Sequence, residues 1–444
     1  MQNITNAVEK HRELILAAER YIWQHPETGY KEVKTSKYMQ EQFEKLGYTL
    51  TLAEGITGFY TQIDTGRAGP EVLILAELDS VICPTHKDAD PKTGAVHSCG
   101  HNAQCAALLG IAAALKEPHI LDGLCGKIRL CAVPAEELLE IEYRLQLMKE
   151  GKIKYFGGKS EFLSRGYFDG VDLAFMVHTN TRCFAWLGGV GIVAKKIIYK
   201  GVAAHAGGSP WDGKNALYAA TCGLNAANAL RETFREKDLI RWHPIVTHGG
   251  DMVNAIPETV TIESYVRGVS FEAIQQANKK IDQALIGAAL SMGVNVEIVD
   301  EPGYAPLKND EQMLLVAKEA VELIIPDFDF KIEQVYSTGS TDMGDLSCIM
   351  PVVHPYINGA CGKGHGNDYQ ICDAETACVT SAKWQLAMLE LLLGNGAERA
   401  KTIVENYKAP FASKEEFLAY QDSVQKSGDR IVYHENGNAE IKLG

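Results

Sequence analysis

The rhythm of apolar residues changes twice along this chain of 444 residues, and that double change constrains the fold more than any other feature. Up to about Gly188, short apolar runs alternate with helical stretches. Glu71 to Leu78 (EVLILAEL) is bounded by Gly-Pro before it and Asp-Ser after it, and reads as a buried strand. Lys127 to Val133 (KIRLCAV), closed by Pro134, and Val171 to Val177 (VDLAFMV) read the same way, with an apolar helix at Gln104 to Lys116. The first 50 residues read as two helices around a His-Pro-Glu-Thr-Gly turn, His25 to Gly29. Helices alternating with apolar strands predict an α/β domain, a mostly parallel sheet with helices on both faces.

From Gly189 the pattern differs. Val190 to Tyr199, Ile245 to Gly249, Thr259 to Arg267 and Val294 to Val299 read as strands, and Gly213 to Glu236 and Ser270 to Met292 as helices. The order β-α-β-β-α-β matches a ferredoxin-like α+β unit of roughly 110 residues. After Glu301-Pro302-Gly303 the first rhythm returns, with helix Asp310 to Ile325, strand Pro351 to Ile357 and helix Ala374 to Leu393, then a last helix near Lys414 to Ser423. The expected organisation is a larger domain formed by residues 1–188 and 302–444, interrupted by a smaller domain at 189–301.

Several function classes drop out on composition. A net charge of −14 with no basic run argues against nucleic acid as a partner. No apolar run approaches the ~18 residues of a membrane span. The opening stretch carries Glu9, Glu13 and Glu19 in an amphipathic pattern, unlike a secretory signal, so the expectation is a cytoplasmic protein. Eleven cysteines, an odd number with no C-x-x-C pair, read as free thiols in apolar surroundings, among them Cys105, Cys125, Cys131, Cys222 and Cys348.

Cys99 reads differently. Open α/β sheets gather their sites at the carboxyl ends of the strands. Here the first strand ends at Asp79, and the loop into the next helix is His97-Ser98-Cys99-Gly100-His101-Asn102. The second ends in Pro134-Ala135-Glu136-Glu137, the third at His178, and a late loop holds His365. Thiolate, imidazole and carboxylate are the ligand set of zinc-type centres. Two adjacent carboxylates also suit metal-assisted hydrolysis, one as ligand and one as proton carrier.

With these segments in hand, the chain resembles the aminoacylase/carboxypeptidase-type zinc metallopeptidases (metallopeptidase family 20), in particular the amidohydrolase branch that holds the aminobenzoyl-glutamate hydrolases and β-alanyl dipeptidases. Further carriers of the resemblance are Glu32 to Thr35, Ala204-His205-Ala206-Gly207-Gly208-Ser209-Pro210-Trp211, Gly249 to Pro257, Arg267 and Ser340-Thr341-Asp342. The resemblance implies a zinc-peptidase-like catalytic domain with an inserted lid, and hydrolysis of a small N-acyl amino acid or dipeptide. It implies Cys99, His101, Glu137, His178 and His365 as ligands for one or two Zn2+ or Mn2+ ions. It gives Glu136 as general base, Asp79 as the orienting carboxylate and His205 as the lid histidine that reaches the substrate carbonyl. Asn254 and Arg267 are implied to meet the polar end and free carboxylate of the substrate. Pairing of lids into a homodimer is also implied.

Two departures accompany the resemblance. Many relatives carry an acidic residue where this chain has Asn102, so no bridging carboxylate is expected there. The stretch between Glu137 and His178 is long; Glu140, Glu142 and Tyr143, which open it, read as a solvated helix face that could reshape the pocket. His97 reads as an orienting neighbour of the ligands, His354 as a pocket or core residue, and Trp211 as a hinge or packing residue. His11, His25, His86, His119, His243, His248 and His434 read as structural or surface groups. The rival readings are a non-catalytic relative with a binding or assembly role, and a nucleobase deaminase. The latter lacks its H-x-E and P-C-x-x-C pattern.

Overall fold

The computed structural model of the protein describes residues 2–325, 328 and 330–443. At its centre lies the sheet that the apolar runs demand. Glu71–Glu77 is buried at every position and pairs in parallel with Lys127–Val133 on one side and Leu173–Phe175 on the other. Val352–Val353 extends this parallel core, while Phe59–Asp64 and Thr51–Leu52 close the opposite edge antiparallel, giving six strands. The helix His101–Leu115 packs against this sheet and is buried along its whole length, which explains why it is apolar on all sides rather than on one stripe. Its start is fixed by Gly100, whose φ of +91° and the Tyr369 hydroxyl 2.5 Å from any added Cβ leave room only for glycine. The first predicted helix is divided at His11 into Gln2–Lys10 and Arg12–Trp23, so three helices precede the sheet rather than two.

A second sheet was not apparent in the sequence. Leu307–Lys308, Phe184–Gly189, Tyr356–Ile357 and His178–Thr179 lie side by side, with Lys331–Ser337 parallel to Phe184–Gly189. Two runs that read as single strands therefore serve both sheets. Leu173–Phe175 continues past a break into His178–Thr179, and Val352–Val353 passes through His354 and Pro355 into Tyr356–Ile357. A proline has no N–H to give to a ladder, which accounts for the second break. The crossover places His178 and His354 together, ring centroids 5.6 Å apart, where the two sheets part.

The segment from Gly191 to Pro302 forms a sheet of its own. Gly191–Lys200 runs between Thr259–Gly268 and Asn295–Pro302, all antiparallel, with Arg241–Trp242 and Ile245–His248 along the outer edge. Side chains alternate between buried and half-buried along Thr259–Gly268, the signature of a sheet covered on one face. The cover is two helices, Ala216–Ala229 and Phe271–Ser291, whose first turns are capped by the side chains of Asn215 and Ser270. A fully buried Lys195 lies under them, 2.6 Å from Asp282 and paired also with Asp300. The chain end returns to this unit: Lys426 and Asp300 exchange backbone hydrogen bonds, and Ile431 is buried in its core.

Candidate active site

Strand ends and the loops that follow them converge on one cavity of about 660 Å³. Cys99, Glu136, Glu137, His178 and His365 line it, with the second sheet (Trp186, Gly188, Gly189, Tyr336, Tyr356) forming a wall. His101 lies fully buried behind Cys99. The expected ligand atoms fall into two groups, each mutually within 4.8 Å: Cys99, His101 and His178, and Cys99, Glu137 and His365; a third such group, fully buried, is Glu77, His101 and Glu136. Cys99 belongs to the first two. Its sulfur is 3.5 Å from His178 Nε2, and His365 Nε2 is 2.9 Å from Glu137 Oε1.

Asp79 organises the centre from below. It is buried, one carboxylate oxygen accepts the Glu137 N–H at 2.8 Å, and its backbone carbonyl lies 2.9 Å from His101 Nδ1. A carbonyl only accepts, so Nδ1 of His101 carries a hydrogen, and in the neutral ring the lone pair is on Nε2, where a ligand could take it. His178 is set in the same way, its Nδ1 2.8 Å from the Thr179 carbonyl. Among the buried side-chain atoms without a hydrogen-bond partner is His101 Nε2. Buried polar atoms are rarely left so, and this one belongs to the groups that would share an ion. The donor set fits a metal.

Charge distribution follows from this crowding. Burial and Glu137 push the Cys99 thiol up, but His101, His178 and His365 outweigh them and bring it down to about 6. Burial pushes Glu137 up too, yet His365 and then His101 hold it at about 2. Glu137, with Cys99 second, lifts His365 to about 12. Glu136 goes the other way, driven well above the carboxylate range by burial and then by the neighbouring charges of Glu77, Glu137 and Asp342. Of two adjacent glutamates, one is thus held as an anion and the other is given a strong hold on a proton. Their backbone turn is unusual: Ala135 has φ +56°, its N–H donates to buried Glu32 at 2.8 Å, and Arg144 donates to the Glu137 carbonyl beyond it.

The remaining expected residues are placed as follows. Arg267 borders the cavity, its Nη1 3.4 Å from Ser340 Oγ, and His243 accepts from its Nε at 3.0 Å. His243 is therefore a support of Arg267, a role its sequence did not indicate. His205 and Asn254 are exposed neighbours on the smaller unit and do not line the cavity. His205 Nδ1 accepts from the N–H groups of Gly207 (3.1 Å) and Gly208 (2.9 Å), which leaves its hydrogen on Nε2, ready to donate. His97 is buried next to His101 and lowered to about 3, by burial first. His354 lines the cavity. Trp211 is 78% exposed, which rules out a place in the core. Asn102 turns away from the centre and donates to buried Glu19 at 2.9 Å. Glu140 pairs with Lys31, Glu142 with Lys196, and Lys31 lies over the Tyr143 ring; none of the three lines the cavity. Sequence reasoning gave no role to Glu77, Arg144 and Lys159, and none beyond the resemblance to Glu32. The signal was present for Glu77 and Lys159, charges set within an apolar and a glycine- and phenylalanine-containing run (EVLILAEL and FGGKSEFL).

Comparison with known proteins bears on the same residues. The model of peptidase family M20/M25/M40 matches residues 73–390, well over half of the chain and inclusive of every residue discussed above from Asp79 to His365. The mouse Xaa-Arg dipeptidase is 29% identical over 366 residues, covering 79% of this chain and 78% of that protein. An N-acetyl-L-cysteine deacetylase of Bacillus subtilis is 27% identical over 327 residues, 69% of this chain and 71% of that one. Among solved structures, a dinuclear metal-binding M20 peptidase from Bacillus subtilis superposes with a TM-score of 0.63 at 19% identity, over 87% of this chain and 99% of the other. An aminobenzoyl-glutamate utilization protein from Klebsiella pneumoniae gives a TM-score of 0.65 at 18% identity, over 87% and 97%.

Proposed function

Since the chain belongs to peptidase family M20/M25/M40 and is a metal-dependent amidohydrolase, we propose that it cleaves the amide bond of a small N-acyl amino acid or dipeptide, with Glu136 as general base. The observation that carries this reading is the pair of three-ligand groups sharing Cys99, with Glu136 lining the same cavity. We propose that Cys99, His101 and His178 would hold one ion and Cys99, Glu137 and His365 a second, either zinc or manganese. The metal, when bound, supplies Lewis acidity to the substrate carbonyl and acidifies water.

The chain's own groups account for the rest of the reaction. Glu136 accepts the proton of the attacking water and returns it to the leaving nitrogen as the C–N bond breaks, releasing a carboxylic acid and an amine. Its strong hold on a proton suits the interval between those two transfers. Asp79 keeps His101 and the Glu137 turn in place. Arg267, set by His243 and Ser340, receives the free carboxylate of the substrate. His205 donates from Nε2 to the developing oxyanion, a contact worth about 3 kcal/mol in comparable sites, and Asn254 meets the polar end beside it.

Because His205 and Asn254 stand outside the cavity of their own chain, the reading requires that residues 189–301 act as a lid on the domain made by 1–188 and 302–444, or that a second copy presents them. The lid carries Trp211, Tyr218, Ile245, Val246, Met252 and Val253 exposed on its surface, an apolar area that favours a homodimer through this unit. A cytoplasmic location goes with the free cysteines, and among the described residues no helix is long and apolar enough to cross a membrane.

The test is a mass-spectrometric cleavage screen of the metal-loaded protein against aminobenzoyl-glutamate, β-alanyl dipeptides and aromatic N-acyl amino acids, with Glu136→Gln in parallel. Cleavage by the wild type and a loss of at least about 10²-fold in the variant are expected. Equal turnover by both proteins refutes the role given to Glu136.

A further inference from the structure

The long stretch between Glu137 and His178 buries two cations that the reaction does not employ. Arg144 donates to main-chain carbonyls, those of Glu137 and Phe156. Lys159 is placed among charges. It begins the helix Gly158–Ser164, and it is fully buried. The helix start is pressed against the core strands so closely that a Cβ at Gly158 would collide with the Pro134 carbonyl. Its backbone N–H donates to Asp342 Oδ2 at 3.0 Å, and its ammonium pairs with Asp342 Oδ1 and, at 2.5 Å, with Glu77 Oε1. Asp342 follows Ser340 and Thr341, which line the cavity. The other oxygen of Glu77 stands 3.3 Å from His101 Nε2 and has no hydrogen-bond partner among the described residues.

This last contact is the informative one. To bind an ion through Nε2, His101 must keep its hydrogen on Nδ1, toward the Asp79 carbonyl, and in that ligating form Nε2 and Glu77 Oε2, 3.3 Å apart, are both acceptors. Such a contact is stable only if something else holds the carboxylate. Free of that hold, Glu77 gains a hydrogen bond by drawing the ring hydrogen to Nε2, and the nitrogen then has no lone pair for an ion. We propose that Lys159 is a positioning residue for the metal centre: by binding Glu77 it keeps that carboxylate from capturing His101 Nε2, so that His101 stays a ligand. The proposal rests on reading His101 as a ligand. It assigns the otherwise unexplained segment a task, which is to bring one cation beneath the centre.

A merely structural Lys159 would neutralise buried carboxylates without regard to which of them is freed, and this allows a clean separation. Lys159→Met leaves Glu77 and Asp342 uncompensated. The double variants Lys159→Met/Glu77→Gln and Lys159→Met/Asp342→Asn each remove one of those charges, and so carry the same net charge as each other and as the wild type. Only the first removes the competitor for His101. Each full-length protein, stripped of metal, is titrated with Co2+ alone and followed by its visible and thiolate charge-transfer absorption, with thermal melting recorded beside it.

The expected result is a loss of 10- to 100-fold in Co2+ affinity for Lys159→Met, most of it regained in the Glu77→Gln double and none in the Asp342→Asn double. Equal affinities in the two doubles, or wild-type affinity in Lys159→Met, overturn the proposal. So does a Glu77→Gln double that fails to bind, folded or not. Should Lys159→Met alone not fold, the two isoelectric doubles decide the matter by themselves. A wild-type protein that takes up no Co2+ refutes the reading of the centre itself, which is a different result from two doubles that bind alike.

Discussion

Replacement of Arg267 by Met tests substrate recognition separately from the metal chemistry. The guanidinium is half-buried at the cavity edge, fixed through Nε by His243 at 3.0 Å and set toward Ser340 at 3.4 Å, so its direction is given before substrate arrives. Neither contact consumes its charge, since both partners are neutral acceptors. A carboxylate placed there would gain charge-assisted hydrogen bonds without displacing either of them as an ion pair. Partial exposure limits their worth to about 2–3 kcal/mol, which is roughly 30- to 150-fold in kcat/KM. The assay compares wild type and variant on one N-acyl amino acid that the enzyme cleaves and on its C-terminal carboxamide. The free acid should lose that factor in the variant, mostly through KM, and the carboxamide, poor for both enzymes, should lose nothing. An equal loss on acid and amide would show that Arg267 only supports the fold, and no loss on either would remove it from recognition altogether.

Removal of metal by a chelator should abolish amide cleavage and lower the melting temperature, and Zn2+ or Mn2+ should restore both; ions bound at 100 times their Kd contribute about 2.7 kcal/mol to stability. Arg144→Met strands the carbonyls of Glu137 and Phe156 in the interior, and should cost about 3–5 kcal/mol in denaturant unfolding, together with a fall in kcat as the Glu136–Glu137 turn loosens. Glu301 is held up at about 7, chiefly by burial. Between the ordinary glutamate value of about 4.3 and that value the folded chain keeps a proton the unfolded chain has lost, so this residue makes stability fall as pH rises through that window and level off above it. Urea unfolding of Glu301→Gln should show a flatter pH dependence there, and a parallel shift at all pH values would contradict the assignment.

Much of the fold was legible because its strongest signals are one-dimensional. Glu71–Glu77 and Lys127–Val133 are continuous apolar runs, and a parallel strand covered on both faces has to be one. The lid was legible from the alternation of its strands and from their β-α-β-β-α-β order with two helices. What escaped was the second sheet. Its members are two to seven residues long, and Lys331–Ser337 is largely exposed, so neither length nor periodicity marks them. Their pairing is decided by where other elements deliver them. The cavity-lining residues Cys99, Glu136, Glu137, His178 and His365 were visible as a set because strand ends and the loops after them bring them together, but the residues behind them were not. Glu32 reaches Ala135 over a separation of 103 positions and Lys159 reaches Asp342 over 183, distances at which no local pattern in a single sequence carries information.

The same contacts explain how the lid is connected to the Glu136–Glu137 turn as well as to the cavity edge at Arg267. Leu138 and Ile141, which follow the two glutamates, pack with Phe156 against Ile192, Ala194 and Tyr304. Ile192 and Ala194 lie on the central lid strand Gly191–Lys200, and Tyr304 follows the strand Asn295–Pro302. Tyr304 donates its hydroxyl to the Glu136 carbonyl, and Tyr265 of the lid donates to that of Leu138. The turn that carries Glu136 and Glu137 is therefore held from one side by Tyr265 of the lid and by Tyr304, and from the other by Arg144 and Glu32. A rotation of the lid that breaks the Tyr265 bond leaves the Leu138 carbonyl to find a new donor, and the least constrained response is a shift of the turn that includes Glu136. Tyr265→Phe removes the bond while keeping the ring. It should lower kcat more than it raises KM, because the loss falls on the placement of Glu136 and not on the contacts that bind substrate. A variant with unchanged kcat would mean that the turn is fixed by Arg144, Glu32 and Tyr304 alone, and that the lid acts only by what it brings to the substrate.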